Sequence, residues 1–187
     1  AERVASEILT RRIKERAEWR DFAVLYRGNF QARLLELKLQ HYQIPYKLSG
    51  GTSFFSRNEI KDAMAYLRLI QTRDNDAALE RVINVPARGI GAKTVEQLLA
   101  AAESEGHWEA AANKLGGRGG AAVQRFAALI DELRDATATL PLPDAIALVI
   151  EKSGLQALFA EEATRDRAAR EERLENLAAL VDAGHEF

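Results

Sequence analysis

The residues of this chain whose types and spacing could do chemistry lie in one stretch, Ile83-Asn84-Val85-Pro86-Ala87-Arg88-Gly89-Ile90-Gly91-Ala92-Lys93-Thr94-Val95. The chemistry would be anion binding. Gly89 and Gly91 lack a Cβ, so the backbone can turn sharply there and lie against a partner with no side chain between them. A helix that opens just after such a turn presents unpaired amide N–H groups and the positive end of its dipole, and the partner these prefer is an anion such as phosphate. Arg81, Arg88 and Lys93 flank the turn, and no acidic residue lies between Arg81 and Lys93. The same pattern also suits a glycine-rich corner between two core helices, with Ile90 plugged into the core.

No other constellation competes. There is no Ser/His/Asp arrangement, no nucleophile elbow and no acidic cluster with metal-site spacing, so no catalytic residue and no metal ligand is assigned. His41, His107 and His185 lie far apart, and the absence of cysteine excludes disulfides and thiolate metal sites. Gly116-Gly117-Arg118-Gly119-Gly120 lacks the lysine and hydroxyl residue that follow the glycines of a P-loop, and reads as a flexible loop. The 187 residues carry a net charge of −2, so attraction to nucleic acid must come from local basic clusters rather than from the whole field. A hydrophobic fraction of 47% allows a real core. No apolar run approaches the ~20 residues of a membrane span. The chain begins with an amphipathic helix at Ala1 and ends just after another, as a piece of a larger protein would.

The elements that must position the turn follow from periodicity. Leu79, Val82 and Ile83 keep helical spacing before it, and Val95, Leu98, Leu99 and Ala102 after it. Pro86 ends the first of these helices, because its ring removes a donor and pushes Val85 out of the helical region. Upstream, Val4, Ile8, Leu9 and Ile13 mark a helix ending near Trp19. The apolar run over residues 22–26 predicts a buried strand, residues 30–41 a helix, and residues 44–48 a second strand closed by Ser49-Gly50-Gly51. Strand, helix, strand is a βαβ unit with a right-handed crossover. Ser56-Arg57-Asn58-Glu59 reads as a capping box opening a helix with Ile60, Ala63, Met64, Leu67 and Ile70 inward. Further helices are expected around Trp108, along Val123–Leu133, from Pro143 to Gly154, and over residues 165–182, where Asp166 with Arg170 and Arg167 with Glu171 are four apart.

Several stretches converge on one family. Ala23-Val24-Leu25-Tyr26-Arg27-Gly28-Asn29-Phe30-Gln31-Ala32-Arg33-Leu34-Leu35-Glu36 resembles the UvrD/Rep/PcrA helicase segment A-x-L-Y-R-x-N-x-Q-S-R-x-x-E. Ile44-Pro45-Tyr46, Gly50-Gly51-Thr52-Ser53-Phe54-Phe55-Ser56-Arg57 and Glu59-Ile60-Lys61-Asp62 match the next block, most like the Rep branch. Ala65-Tyr66-Leu67-Arg68, Arg81 to Pro86 with Arg88-Gly89-Ile90-Gly91, and Arg173-Leu174-Glu175-Asn176-Leu177 follow in the family's order. Ala32 stands where the family often has serine, and Ser53 where some members have lysine. The Gly-x-Gly turn also resembles half of a helix-hairpin-helix, which grips DNA backbone without reading sequence.

The resemblance implies a predominantly α chain in two parts. Residues 1–53 would be a small βαβ piece of the second P-loop (RecA-like) lobe, called 2A. Residues 54–187 would be the all-helical accessory subdomain, 2B, carrying the helix-hairpin-helix-like turn. It implies a parent motor that moves 3′ to 5′ on single-stranded DNA and unwinds duplex with ATP and Mg²⁺, in the bacterial cytoplasm, in replication and repair. The Walker motifs and the Arg finger have no match here, so this chain would bind neither cofactor and hydrolyse no ATP. Carried over residue by residue, Arg88, Gly89, Ile90, Gly91, Lys93 and Thr94 would hold duplex phosphates, with Arg57 and Lys61 as further backbone contacts. Arg27 and Asn29 would touch the single strand, although both also suit the cap of the turn after the strand. Glu59 and Asp62 equally permit an ion pair with Arg57 or Lys61. The partners implied are single-stranded DNA and the duplex junction, with self-association or replication and repair proteins beside them. The net negative charge and the apolar-edged last helix point to an alternative, a helical protein-interaction or autoinhibitory module that does not bind DNA.

Overall fold

The apolar stripe of Val4, Ala5, Ile8 and Leu9 folds as α1 (Glu2–Lys14), which packs on α2 (Asn29–His41). The structure, a computed structural model, describes residues 1–27, 29–49, 52–161 and 167–186. They fall into two units, Ala1–Arg57 together with Glu186, and Asn58–His185. In the first, Ala5, Ile8, Leu39 and Ile44 are buried together, with Trp19, Phe22, Tyr42 and Tyr46 packed partly against them. The buried Glu36 carboxylate accepts the Phe54 N–H at 2.7 Å and ties α2 to the 3₁₀ turn Phe54–Ser56.

The βαβ unit expected over residues 1–53 is not there. Among the described residues there is no strand, and every regular element is helical. The helix between the two expected strands is present as α2; the strands are not. Residues 22–26 are irregular, with no ladder for them among the described residues, and Leu25 is 95% exposed instead of buried on both faces. Residues 44–49 begin by closing a helix, for the Ile44 N–H donates to the Leu39 carbonyl at 2.7 Å. A strand is a property of a pair, and an apolar run supplies only one partner.

The second unit is built around α3 (Asn58–Gln71), which packs against α4 (Asp76–Val82), α7 (Gly117–Thr137), α8 (Leu142–Lys152) and α10 (Arg167–Ala183). Between α4 and α7 come α5 (Ala92–Glu105), ended by Gly106 at φ 86°, and α6 (Trp108–Ala112); α9 (Leu155–Glu161) follows α8. Ile60, Tyr66, Leu69, Leu79, Trp108, Phe126 and Ile130 are almost wholly buried, each worth about 1.5–3 kcal/mol relative to exposure. No described helix is long and apolar enough to cross a membrane.

Two local expectations fail for the same reason, a neighbour with a better offer. Glu59 does not complete a capping box, because its buried carboxylate accepts from Asn176 Nδ2 on α10 at 2.7 Å, and the Ser56 N–H is already given to the Ser53 carbonyl. The run Gly116–Gly120 is not a loop but the start of α7. Its glycines allow close packing: a Cβ on Gly120 would stand 2.2 Å from the Leu115 carbonyl oxygen, and one on Gly119 would stand 2.7 Å from Thr94 Oγ1. The Asp166–Arg170 pair lies outside the described residues, whereas Arg167 and Glu171 do pair, at 2.6 Å on an exposed face.

Because the obstacle at Gly120 is backbone, it cannot rotate away. Gly120→Ala is expected to destabilise the second unit by about 1–3 kcal/mol, as overpacking does. Urea denaturation followed by circular dichroism measures it, and an unchanged midpoint would contradict the packing described.

Candidate nucleic-acid interface

The turn between α4 and α5 is held by three side chains, exposed Asn84, half-buried Arg88 and buried Tyr66. Asn84 Oδ1 accepts the backbone N–H of Arg88 at 2.7 Å and that of Ile90 at 3.3 Å, so one amide oxygen sets the curvature of the loop. The Arg88 guanidinium donates to the Pro86 carbonyl at 2.9 Å, to the Ser153 carbonyl at 2.8 Å and more weakly to the Val82 carbonyl at 3.4 Å. It lies 5.2 Å from the Phe126 ring centre and 5.9 Å from that of Tyr66, within cation–π range. The Tyr66 hydroxyl donates to the Val85 carbonyl at 2.5 Å and to Val82 at 3.3 Å.

Outside, the corner is open. Ile90 is buried (2% exposed) and plugs the loop into the core, while Gly89 and Gly91 face solvent with nothing within 4 Å of where a Cβ would stand. Gly89, at φ 74°, needs glycine for its conformation; Gly91, at φ −82°, does not. Gly91 is the N-cap of α5 and has no side chain with which to cap it. Its carbonyl accepts the N–H groups of Thr94 and Val95, so the amides before them lie at the exposed dipole end. Lys93 is exposed, and half-buried Thr94 packs against Gly119.

The predicted residues thus divide. Gly89, Gly91, Lys93 and Thr94 gather at the open start of α5, with Ile90 beneath them, and Arg88 turns inward. Arg81 is also engaged, at 2.7 Å from Asp62 and with the Asn58 carbonyl at 3.3 Å. Burial pushes the Asp62 carboxyl up, against the pull of Arg81. The ion pair of Asp62 is therefore with Arg81, and Lys61 stands exposed on α3. Arg57 belongs to the first unit, where its N–H closes the 3₁₀ turn onto the Phe54 carbonyl at 3.3 Å. Arg27 is exposed in that unit, and its N–H donates to Gln31 Oε1 at 3.0 Å, so Gln31 supplies the cap. Asn29 opens α2, and its side chain lies outside the described residues.

Sequence reasoning missed Asn84, Tyr66 and Ser153. Asn84 was visible at the start of the turn as a residue type that bonds turn backbone, although its reach to Arg88 and Ile90, four and six residues on, is longer than that of an ordinary Asx turn. Ser153 acts through its carbonyl, and nothing in its residue type signals that. The glycine run at 116–120 does not fit a nucleotide: the lysine is missing, and the Cβ space of Gly120 is filled by the Leu115 carbonyl. No ATP chemistry is therefore derived from this chain. Among the described residues no group of His, Asp or Glu could hold a metal ion.

An all-helical unit that opens a helix through Gly-Ile-Gly, beneath the sequence blocks quoted above, defines a domain of the helicase class. The chain belongs to the family described as the UvrD-like helicase C-terminal domain, which matches residues 1–187. It is similar to DNA helicase II of Haemophilus influenzae, at 46% identity over 174 residues, 89% of this chain and 24% of that protein. It is similar to the ATP-dependent DNA helicase Rep of Escherichia coli (strain K12), at 40% over 148 residues, 72% of this chain and 21% of that protein. The ATP-dependent DNA helicase PcrA of Leuconostoc citreum is 35% identical over 191 residues, 98% of this chain and 25% of that protein. The chain spans about a quarter of the length of these curated relatives.

The knot inside the corner carries a pH signature. Tyr66 is 0% exposed, and burial pushes its phenol up to about 12, with Arg88 pulling the other way. An unfolded phenol titrates near ~10. The folded state thus keeps its proton where the unfolded state loses it, so the contribution is whole below about pH 10 and is lost as pH rises through about 12. The loss is on the order of 2–3 kcal/mol. Thermal melts over that window should fall more steeply for the native chain than for Tyr66→Phe. At neutral pH the variant should already be less stable by about 1–3 kcal/mol, for the Val85 carbonyl loses its donor.

Proposed function

We propose that this chain is the part of an ATP-dependent DNA helicase whose helical unit holds the phosphates of duplex DNA at the start of α5. The observation that carries the reading is Gly91. Neither its backbone conformation nor its surroundings demand glycine, yet it leaves an uncapped, solvent-facing helix start bare beside Lys93. A backbone approaching from outside uses that space. Gly89, Gly91 and Thr94 supply amides and a hydroxyl, Lys93 supplies charge, and Ile90 anchors the turn. Lys61 on α3, and Arg57 in the first unit, add phosphate contacts; Arg27 and Asn29 meet the single strand.

In the parent, ATP and Mg²⁺ are held by parts other than these residues, and the motor moves 3′ to 5′ on DNA in the bacterial cytoplasm. The names of the relatives support ATP-dependent helicase activity, and this reading divides the chain near residue 53 into a motor-associated part and an accessory part. Gripping the duplex lets the accessory part steer the DNA path and so tune unwinding. Contacts with phosphates position the protein and carry no sequence information, which suits a motor acting at any junction.

Gly91→Glu tests this without disturbing the fold. The position has room, its φ is ordinary, and a carboxylate at a helix start is favourable to the helix. The charge would nevertheless stand where phosphate must. Duplex affinity should fall at least about tenfold with melting unchanged, and Lys93→Ala should reduce the salt slope by about 0.9. Affinity indifferent to salt and to both substitutions, together with a stable self-dimer, would instead support the interaction-module reading that the net charge of −2 favours.

A further inference from the structure

Arg88 stands in the middle of the basic flank, and its charge invites the role of a phosphate ligand. The geometry points to another one. We infer that Arg88 and Asn84 are positioning residues, which lock the Gly89–Gly91 loop to the turn between α8 and α9 so that its amides already face outward before DNA arrives. The inference rests on the phosphate-holding role proposed for the start of α5.

Both terminal nitrogens of Arg88 are used within the protein. One side of the guanidinium takes the Pro86 and Val82 carbonyls, and the other takes the carbonyl of Ser153, 65 residues away in sequence. Its face rests against the Phe126 ring. A phosphate could recruit either terminal nitrogen only by breaking its bond to the Pro86 or the Ser153 carbonyl, which would then lack that donor. Pro86 reinforces the link from the other side: its Cγ lies 3.2 Å from where a Cβ on Gly154 would stand, and Gly154 is at φ 85°. The loop is thus seated on the Ser153–Gly154 turn by a ring contact and a charged fork. Asn84 completes the lock, because the two N–H groups it accepts, of Arg88 and Ile90, bracket Gly89.

A fork that bridges carbonyls on two chain segments cannot be replaced by lysine, whose ammonium is a single point with no planar spread. A phosphate ligand could be replaced that way, since the charge is kept. Asn84 separates the roles again: aspartate retains an acceptor oxygen and alanine does not.

The experiment measures amide hydrogen exchange over residues 89–93 in the free chain, and then binding of a labelled blunt DNA duplex across a salt series. Arg88→Lys, Asn84→Ala and Asn84→Asp are compared with the native chain, each checked for melting temperature. Expected are faster exchange and duplex affinity lowered by about tenfold in Arg88→Lys and Asn84→Ala, with exchange near native in Asn84→Asp. The double variant Asn84→Ala/Arg88→Lys should bind little worse than the poorer single, since both act on one loop. Native exchange and native affinity in Arg88→Lys, with a salt slope reduced by about 0.9 in Arg88→Met, would overturn the inference and make Arg88 a ligand. Failure of the underlying reading looks different: Gly91→Glu and Lys93→Ala would leave duplex binding unchanged, and the inference would fall with it however the loop exchanges.

Discussion

Beyond Val82, where α4 stops, the Val85 and Pro86 carbonyls have no helical partner, and the corner depends on the side-chain donors that reach them. A buried carbonyl without a donor costs about 1–3 kcal/mol, so a turn this irregular exists only where side chains meet it. Tyr66 from α3 supplies a hydroxyl to Val85 and Val82, and Arg88 folds back on the Val82 and Pro86 carbonyls. The same guanidinium reaches Ser153 beyond α8 and lies against Phe126 of α7. Helices distant in sequence are thus drawn to one knot, and the exposed face of the loop is a consequence of how its buried face is satisfied.

Other buried polar groups in the second unit follow the same logic. Glu59 accepts from Asn176, joining α3 to α10; Asp62 pairs with Arg81, joining α3 to α4. Glu109 on α6 lies 2.7 Å from Arg134 of α7 and 2.9 Å from Arg73, and Arg134 also donates to the Ile70 carbonyl at 3.1 Å. Buried pairs of this kind contribute little net energy but are costly to break singly, so they hold helices in register. Once these cations are engaged, Lys93 and Arg118 remain exposed around the starts of α5 and α7, where Thr94 meets Gly119. A chain of net charge −2 can therefore still present a local basic face.

How much was legible varies with the range of the interaction involved. The helices around Ile60, Val123 and Ile146 and the break at Pro86 follow from periodicity and from proline, both local, and the structure has them. Gly89 at φ 74° is a residue whose chemistry dictates its place. The strands expected over 22–26 and 44–48 are not formed because an apolar run shows burial preference but not a partner, and among the described residues no strand pairs with Leu25. The run at 116–120 was misread because glycine signals both freedom and closeness, and only Leu115 and Thr94 reveal which. Arg88 was legible as a cation of the corner, but the direction of its side chain was not, since the Ser153 carbonyl that takes it lies far along the chain.

By itself, then, the sequence determined that the chain is mostly helical, where α4 must stop and α5 begin, which residues of the turn lack side chains, and, through its motif blocks, the helicase family to which it belongs. Those properties follow from backbone restriction, residue type and order, which are present before folding. Only the tertiary structure decided which cations stay outside and which are consumed within, that Glu59 serves α10 rather than its own helix start, and that a glycine run is a packing surface. Each of those outcomes is a competition between partners brought together by packing, and no residue carries its own winner.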